Sequence, residues 1–157
     1  MRAAKRRNGG IAAMKLLLAI LLALLMSSVS WFTYVEQRRE YWNDKVREMC
    51  AKNGTGVVLQ QVLLASGTAI PATPDERYAS PGSQYVSRWR EEVIRPAAPR
   101  VLRTEVILVR TSDQAVLGRQ FRYVRIGGDV GLVDNPSTFG CGDIGIKSIE
   151  QLVFASK

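Results

Sequence analysis

Any chemistry in this chain has to be done without imidazole. There is no histidine among the 157 residues. That removes the Ser-His-Asp and Cys-His nucleophile arrangements, the common imidazole zinc sites and the ordinary acid–base switch between about pH 5 and 8. Two cysteines are too few for a four-thiolate zinc site. Carboxylate or Ser-Lys chemistry is left, and no motif for either is present. Asp129, Asp134 and Asp143 lie close in sequence and could offer oxygens to calcium, yet their spacing does not follow the EF-hand loop. Gly127-Gly128-Asp129-Val130-Gly131 has neither the Gly-x-Gly-x-x-Gly spacing nor a Gly-Lys-Ser/Thr ending, so it is expected to be a wide turn after a strand. The expectation is a non-enzymatic protein with no catalytic, cofactor-binding or metal-ligating residues. A hydrolase built on unpaired carboxylates is the enzymatic alternative.

Arginines supply the other concentration of functional groups. Arg95, Arg100, Arg103, Arg110, Arg119, Arg122 and Arg125 crowd the stretch that reads as a β-hairpin. In a strand of period two, Arg119 and Arg125 share a face while Arg122 points the other way. The plain reading is a solvated sheet face. The functional reading is an interaction surface for anionic lipid head groups or an acidic partner, with Trp89, Arg119, Arg122 and Arg125 as its contacts.

The elements that hold these residues are read from periodicity and punctuation. Glu36 to Lys52 is helical, with Tyr41, Trp42, Val46 and Met49 along one face. Tyr41 and Trp42 are expected to dock this helix on the folded part. No proline or glycine separates it from the apolar run before it, so one helix is predicted from about Met14 to Ala51, with Asn53-Gly54 as a left-handed stop. Val57 to Ala65 reads as a first strand and Ser66 to Gly82, with its prolines, as a long connection. Ser83 to Ile94 is predicted to be a short helix capped by Ser83, because Tyr85, Val86, Trp89 and Val93 fall on one face. Val101 to Arg110 and Val116 to Ile126 are the clearest strands, joined by the turn Thr111-Ser112-Asp113-Gln114. Gly127 to Gly145 reads as irregular, and Ser148 to Phe154 returns as an edge strand or a short helix. The fold class is therefore α+β, a helix packed on a small antiparallel sheet.

Leu16 to Val35 is an uncharged run of 20 residues, preceded by Arg2, Lys5, Arg6, Arg7 and Lys15 with no acidic residue before Glu36. As a helix it spans about 30 Å, the thickness of a bilayer's hydrocarbon core. Basic residues on its N-terminal flank keep that flank cytoplasmic. The expected organisation is a basic cytoplasmic leader over 1–15, a transmembrane anchor over 16–35 and a small periplasmic domain over 36–157. A secretory signal cleaved near Ser28-Val29-Ser30 is the alternative. Against it, Trp31, Phe32, Tyr34 and Val35 continue the apolar character where an interfacial belt would sit. Met14 offers an alternative start, which would make the basic leader an artefact of the start site. The chain carries 22 basic and 14 acidic residues, but only 17 of the basic ones follow the apolar run, so its high pI is mostly topogenic. Nucleic acid is accordingly not an expected partner.

Cys50 and Cys141 are the only cysteines. An even count in an exported domain points to one disulfide, the alternative being two separately buried thiols. Neither lies in a Cys-x-x-Cys arrangement, which argues against a redox-active pair. Asn53-Gly54-Thr55 is a glycosylation acceptor in a eukaryotic secretory pathway, and in the bacterial setting adopted here it is a helix stop.

An anchor helix runs into Met49-Cys50-Ala51-Lys52-Asn53-Gly54. A Val-rich strand, an Arg-rich hairpin with Thr111-Ser112-Asp113 at its tip, and Asn135-Pro136-Ser137-Thr138-Phe139-Gly140-Cys141 follow. In this order the chain resembles a group of small bacterial inner-membrane-anchored proteins of uncharacterised function. The resemblance implies a cysteine pair and a periplasmic domain, and no activity. The chain departs from the group's pattern at Asn53 and Thr55, where an Asp-Gly-Gly type of sequence is expected. The functional expectation is a membrane-anchored accessory or interaction protein held in the inner membrane through Leu16 to Val35, with an envelope protein as partner. The alternative is a binding module for an anionic lipid head group or cell-wall fragment.

Overall fold

A computed structural model describes residues 5–130 and 135–156. Helix α1, Lys5–Asn53, has 49 residues and is about 74 Å long at 1.5 Å per residue. No proline interrupts it. Within its apolar part the hydroxyls of Ser28 and Thr33 donate to carbonyls of the preceding turn, at 2.8 Å to Leu25 and 3.1 Å to Val29, so they need no outside partner. The helix changes character along its length. Residues 13–34 are exposed on every side although leucine-rich, whereas Asn43, Val46 and Cys50 are buried against the rest of the chain. A helix apolar all round and touching nothing suits a lipid environment. Among the described residues it is the one helix long and apolar enough to cross a membrane.

The remainder is an antiparallel sheet with short additions. Its elements are β1 Val57–Val58, β2 Val62–Leu64, β3 Tyr85–Arg95, β4 Arg100–Arg110, β5 Val116–Ile126, β6 Thr138–Gly140, α2 Ile149–Val153 and β7 Phe154–Ser156. Strand order is β1-β5-β4-β3, with β6 also paired to β5. The outer edge of β5 is thus shared: β1 covers residues 118–119 and β6 covers 124–126. A separate parallel pair joins β2 to β7. The α+β class and the β4–β5 hairpin agree with the sequence reading.

Helices cover opposite faces of the sheet. Val46 and Cys50 of α1 form one buried cluster with Val101, Tyr123 and Cys141. On the other face Ile149 and Val153 of α2 pack with Val106, Leu108, Leu117 and Phe154. Each such aliphatic side chain, fully buried, contributes about 1.5–3 kcal/mol. The α2 contact is close enough to demand glycine beneath it, since a Cβ on Gly118 would lie 2.8 Å from Ile149 Cδ1 and 3.0 Å from the Val57 carbonyl oxygen. α2 has only five residues, and it is fixed at its start by Ser148, whose hydroxyl accepts from Gln151 N while the Gln151 side chain accepts from Ser148 N.

Three local expectations are corrected. Ser83 to Ile94, expected as a short helix, instead contribute to strand β3, Tyr85–Arg95, which pairs with β4 along ten register positions. The apolar side chains that fit a helix face are equally good strand formers, and β4 offered a long partner. Ser83 caps nothing there and donates instead to the Ser80 carbonyl. The single strand expected over Val57 to Ala65 is split, because the amides of Leu59 and Gln60 both turn onto the Leu117 carbonyl before the chain crosses to β7. Finally, α1 does not end in a left-handed residue, as neither Asn53 nor Gly54 has positive φ. The stop instead rests on Gly54 donating to the Cys50 carbonyl at 2.7 Å, in a place where a Cβ would lie 2.5 Å from that oxygen.

Candidate functional site

The cysteines meet. Cys50, on the last turn of α1, and Cys141, just after β6, form a disulfide with a Cα–Cα distance of 5.4 Å. Cys141 Sγ also accepts from the Tyr123 amide at 3.3 Å, in the gap on the β5 edge between β1 and β6. The bond therefore ties α1 to the sheet and to the C-terminal segment at one point.

The arginines do not form one surface. Arg125 is 3 % exposed. It lies on the β5 face that α1 covers, where Nε donates to Asn43 Oδ1 at 2.6 Å and the guanidinium also donates to the Gly127 carbonyl and to Ser137 Oγ. Its expected role as a surface contact is thus corrected: α1 buries it. Arg119 shares that face but lies beyond the helix end beside Lys52 and Asn53, and is exposed. Arg122 points to the other face, where Nη2 is 3.4 Å from Glu150 of α2.

Asp129 completes the Arg125 network. It accepts from Ser137 N at 2.7 Å and from Ser137 Oγ at 2.6 Å, with Arg39 of α1 at 3.7 Å. These Ser137 hydrogen bonds, helped by the charges of Arg125 and Arg39, hold its carboxyl below the usual range despite some burial. A depressed carboxyl contributes stability that is present above its unfolded pKa, about 3.9, and is lost as pH falls through the folded value. Stability measured by urea unfolding is expected to fall on acidification below about pH 4, and Asp129→Asn is expected to flatten that fall. Asp143 serves elsewhere, accepting from Gly140 N at 2.7 Å, and Asp134 and Gly131 lie outside the described residues. Among the described residues no three acidic or thiol side chains are grouped to hold a metal. The Gly127-Gly128 turn has a packing role: Gly128 has φ of 87°, and a Cβ on it would meet Pro99 at 2.9 Å.

Sequence reasoning missed a concavity on the α2 side of the sheet. A cavity of about 680 Å³ opens between the β4–β5 face, at Thr104, Gln120 and Arg122, and the segment 140–151. Trp89 stands at its rim, half exposed, with Nε1 donating to Ser87 Oγ at 2.7 Å. Gln120 is buried and donates to the carbonyls of Gly54 and Lys147 at 2.7 and 2.8 Å, fixing the far wall. Arg122, paired with Glu150, brings a cation to this lining, and Lys147 contributes its carbonyl to the Gln120 bond. Ser148, also in the lining, has its hydroxyl engaged as the α2 cap. The arrangement offers an aromatic plane and positive charge, which suits holding a ligand, and brings no nucleophile to a base. Of the four residues expected as an interaction surface, Trp89 and Arg122 share this cavity, and Cys141 of the disulfide also lines it. Comparison with protein-family models, curated proteins and solved structures finds no match for this chain.

Proposed function

We propose that this chain is a non-enzymatic, single-pass membrane protein that presents a small disulfide-closed domain on the outer face of a bacterial inner membrane and works by contact with an envelope protein. One observation carries the reading. α1 runs without a break from a segment that is apolar and exposed all round into a segment whose Asn43, Val46 and Cys50 are buried in the domain. Such a helix fixes the domain to the bilayer rather than leaving it on a tether. The basic N-terminal flank favours a cytoplasmic N-terminus, and a disulfide suits an oxidising compartment. Reversible crosslinking of the tagged chain in cell envelopes is expected to bring down one dominant protein. Recovery of lipid or glycan without protein would favour a second reading, in which the cavity holds an anionic envelope ligand against Trp89, Arg122 and Lys147.

A further inference from the structure

The packing of α1 on β5 sets how the domain sits on its membrane. Asn43 Oδ1 meets Arg125 Nε at 2.6 Å, Val46 and Tyr123 share a buried cluster, and the Gly54 carbonyl meets Gln120 Nε2 at 2.7 Å. From residue 43 to residue 54 a helix rises about 16 Å, and from 125 to 120 a strand covers about 17 Å. Equal lengths between the same two ties mean that helix and strand run side by side in opposite directions. One turn further down, Arg39 lies 3.7 Å from Asp129 in the loop after β5. The sheet therefore stands with its strands along the α1 axis, the β3–β4 turn toward the membrane and the β4–β5 turn away from it.

We infer that this lower end, the turn at residues 96–99 with Arg100 after it and with Arg38 of α1 one helical turn below the Trp42 on which Arg95 stacks, rests on phospholipid head groups, with Arg38 and Arg100 contacting lipid phosphate. The inference rests on the membrane-anchor reading above. Asn43 lies about 12 Å along the helix from Val35, where the apolar run ends, and the turn extends below the Arg100–Ile126 pair toward that level. A head-group layer of about 5–8 Å per leaflet fills the remaining gap. The composition of the turn fits the place. Pro96, Ala97 and Ala98 are exposed and uncharged, and Ile94 beside them is exposed as well. Arg95 is not free for lipid, because it stacks 4.6 Å from the Trp42 ring and donates to the Pro99 and Ala98 carbonyls at 3.0 and 3.3 Å, stiffening the turn. Arg38 and Arg100 have no ion pair among the described residues. Arg119, by contrast, stands roughly 24 Å above Ile126 along β5 and is out of reach of the head groups. The geometry also restricts self-association. The outer edge of β3 is covered at Ser87 by the 73–76 segment, and antiparallel pairing of two copies along the rest of it would aim their anchors in opposite directions, which disfavours that pairing within one bilayer.

The test uses the full chain in vesicles of phosphatidylcholine and phosphatidylglycerol that carry a trace of gadolinium-chelating lipid. Both native cysteines are in the disulfide. One added cysteine, Ala98→Cys in the lower turn or Ser112→Cys at the opposite tip, therefore takes a single nitroxide label. Head-group gadolinium is expected to erase most of the Ala98 label's amplitude and to leave the Ser112 label close to its metal-free spectrum. Charge reversal at Arg38 and Arg100 together is expected to reduce the Ala98 effect. Equal or inverted effects in protein that floats with the vesicles would overturn the orientation while leaving the anchor intact. A full Ala98 effect in the charge-reversed chain would overturn the phosphate contact. Protein that fails to float would overturn the anchor and this inference with it.

Discussion

Replacing Cys50 and Cys141 together by serine is expected to lower stability by about 4–5 kcal/mol, the value for a closed loop of this size when chain entropy dominates. The two residues are 91 apart in sequence, so losing the bond returns the closure entropy of a long loop to the unfolded chain. The loss is aggravated by position, since Cys50 and Cys141 sit inside the cluster that joins α1 to the sheet. Urea unfolding of the detergent-solubilised chain, followed by tryptophan fluorescence, reads the change. Unfolding midpoints that do not move, together with two freely alkylatable thiols in the native protein, would refute the pairing.

Removing Arg125 is the second large effect expected. Its guanidinium is buried, which pulls it below its ordinary pKa against the opposing pull of Asp129, and its bonds reach Asn43 of α1, Gly127 in the loop after β5 and Ser137 just before β6. Arg125→Met keeps the bulk but leaves Asn43 Oδ1 and the Gly127 carbonyl without their donor. Buried acceptors left unpaired cost about 1–3 kcal/mol each, so a total loss of about 3 kcal/mol is expected in the same unfolding measurement. Arg125→Lys should recover only part of it, because a single ammonium cannot span Asn43 and Ser137 as the fork does. Asn43→Ala combined with Arg125→Met should be less than additive, since both remove one bond. A loss below about 0.5 kcal/mol, usual for a surface side chain, would mean that Arg125 is solvated after all.

The parts legible in the sequence were those set by local chemistry. Strands β4 and β5 declare themselves by β-branched, leucine and aromatic residues on either side of a polar turn, and α1 by its unbroken run without proline. The segment Ser148 to Phe154 reads equally as strand or helix, and both are present: Ser148 caps α2, and Phe154 then begins β7. Strand β3 is not legible, because Tyr85, Val86, Trp89 and Val93 satisfy a helical period and the choice is made by partners on β4 between 9 and 25 residues away. Arginine exposure was not legible either. The alternation of Arg119, Arg122 and Arg125 gave their faces correctly, with Arg125 meeting α1 and Arg122 meeting α2. How far α1 extends over its face is a matter of tertiary packing, and that alone separates buried Arg125 from exposed Arg119. The cavity likewise joins Trp89 to a wall more than fifty residues further along the chain, a closure that no local spacing announces.

Treatment of intact spheroplasts with protease, followed by mass measurement of what stays in the membrane fraction, tests the central proposal most directly. The expected result is a chain retained in the membrane whose domain is cut from the outer side, leaving a protected fragment that contains Leu16 to Val35 and ends before the residues joined by the disulfide. A domain protected in spheroplasts and cut only after lysis, or a soluble product beginning near Trp31, would contradict it.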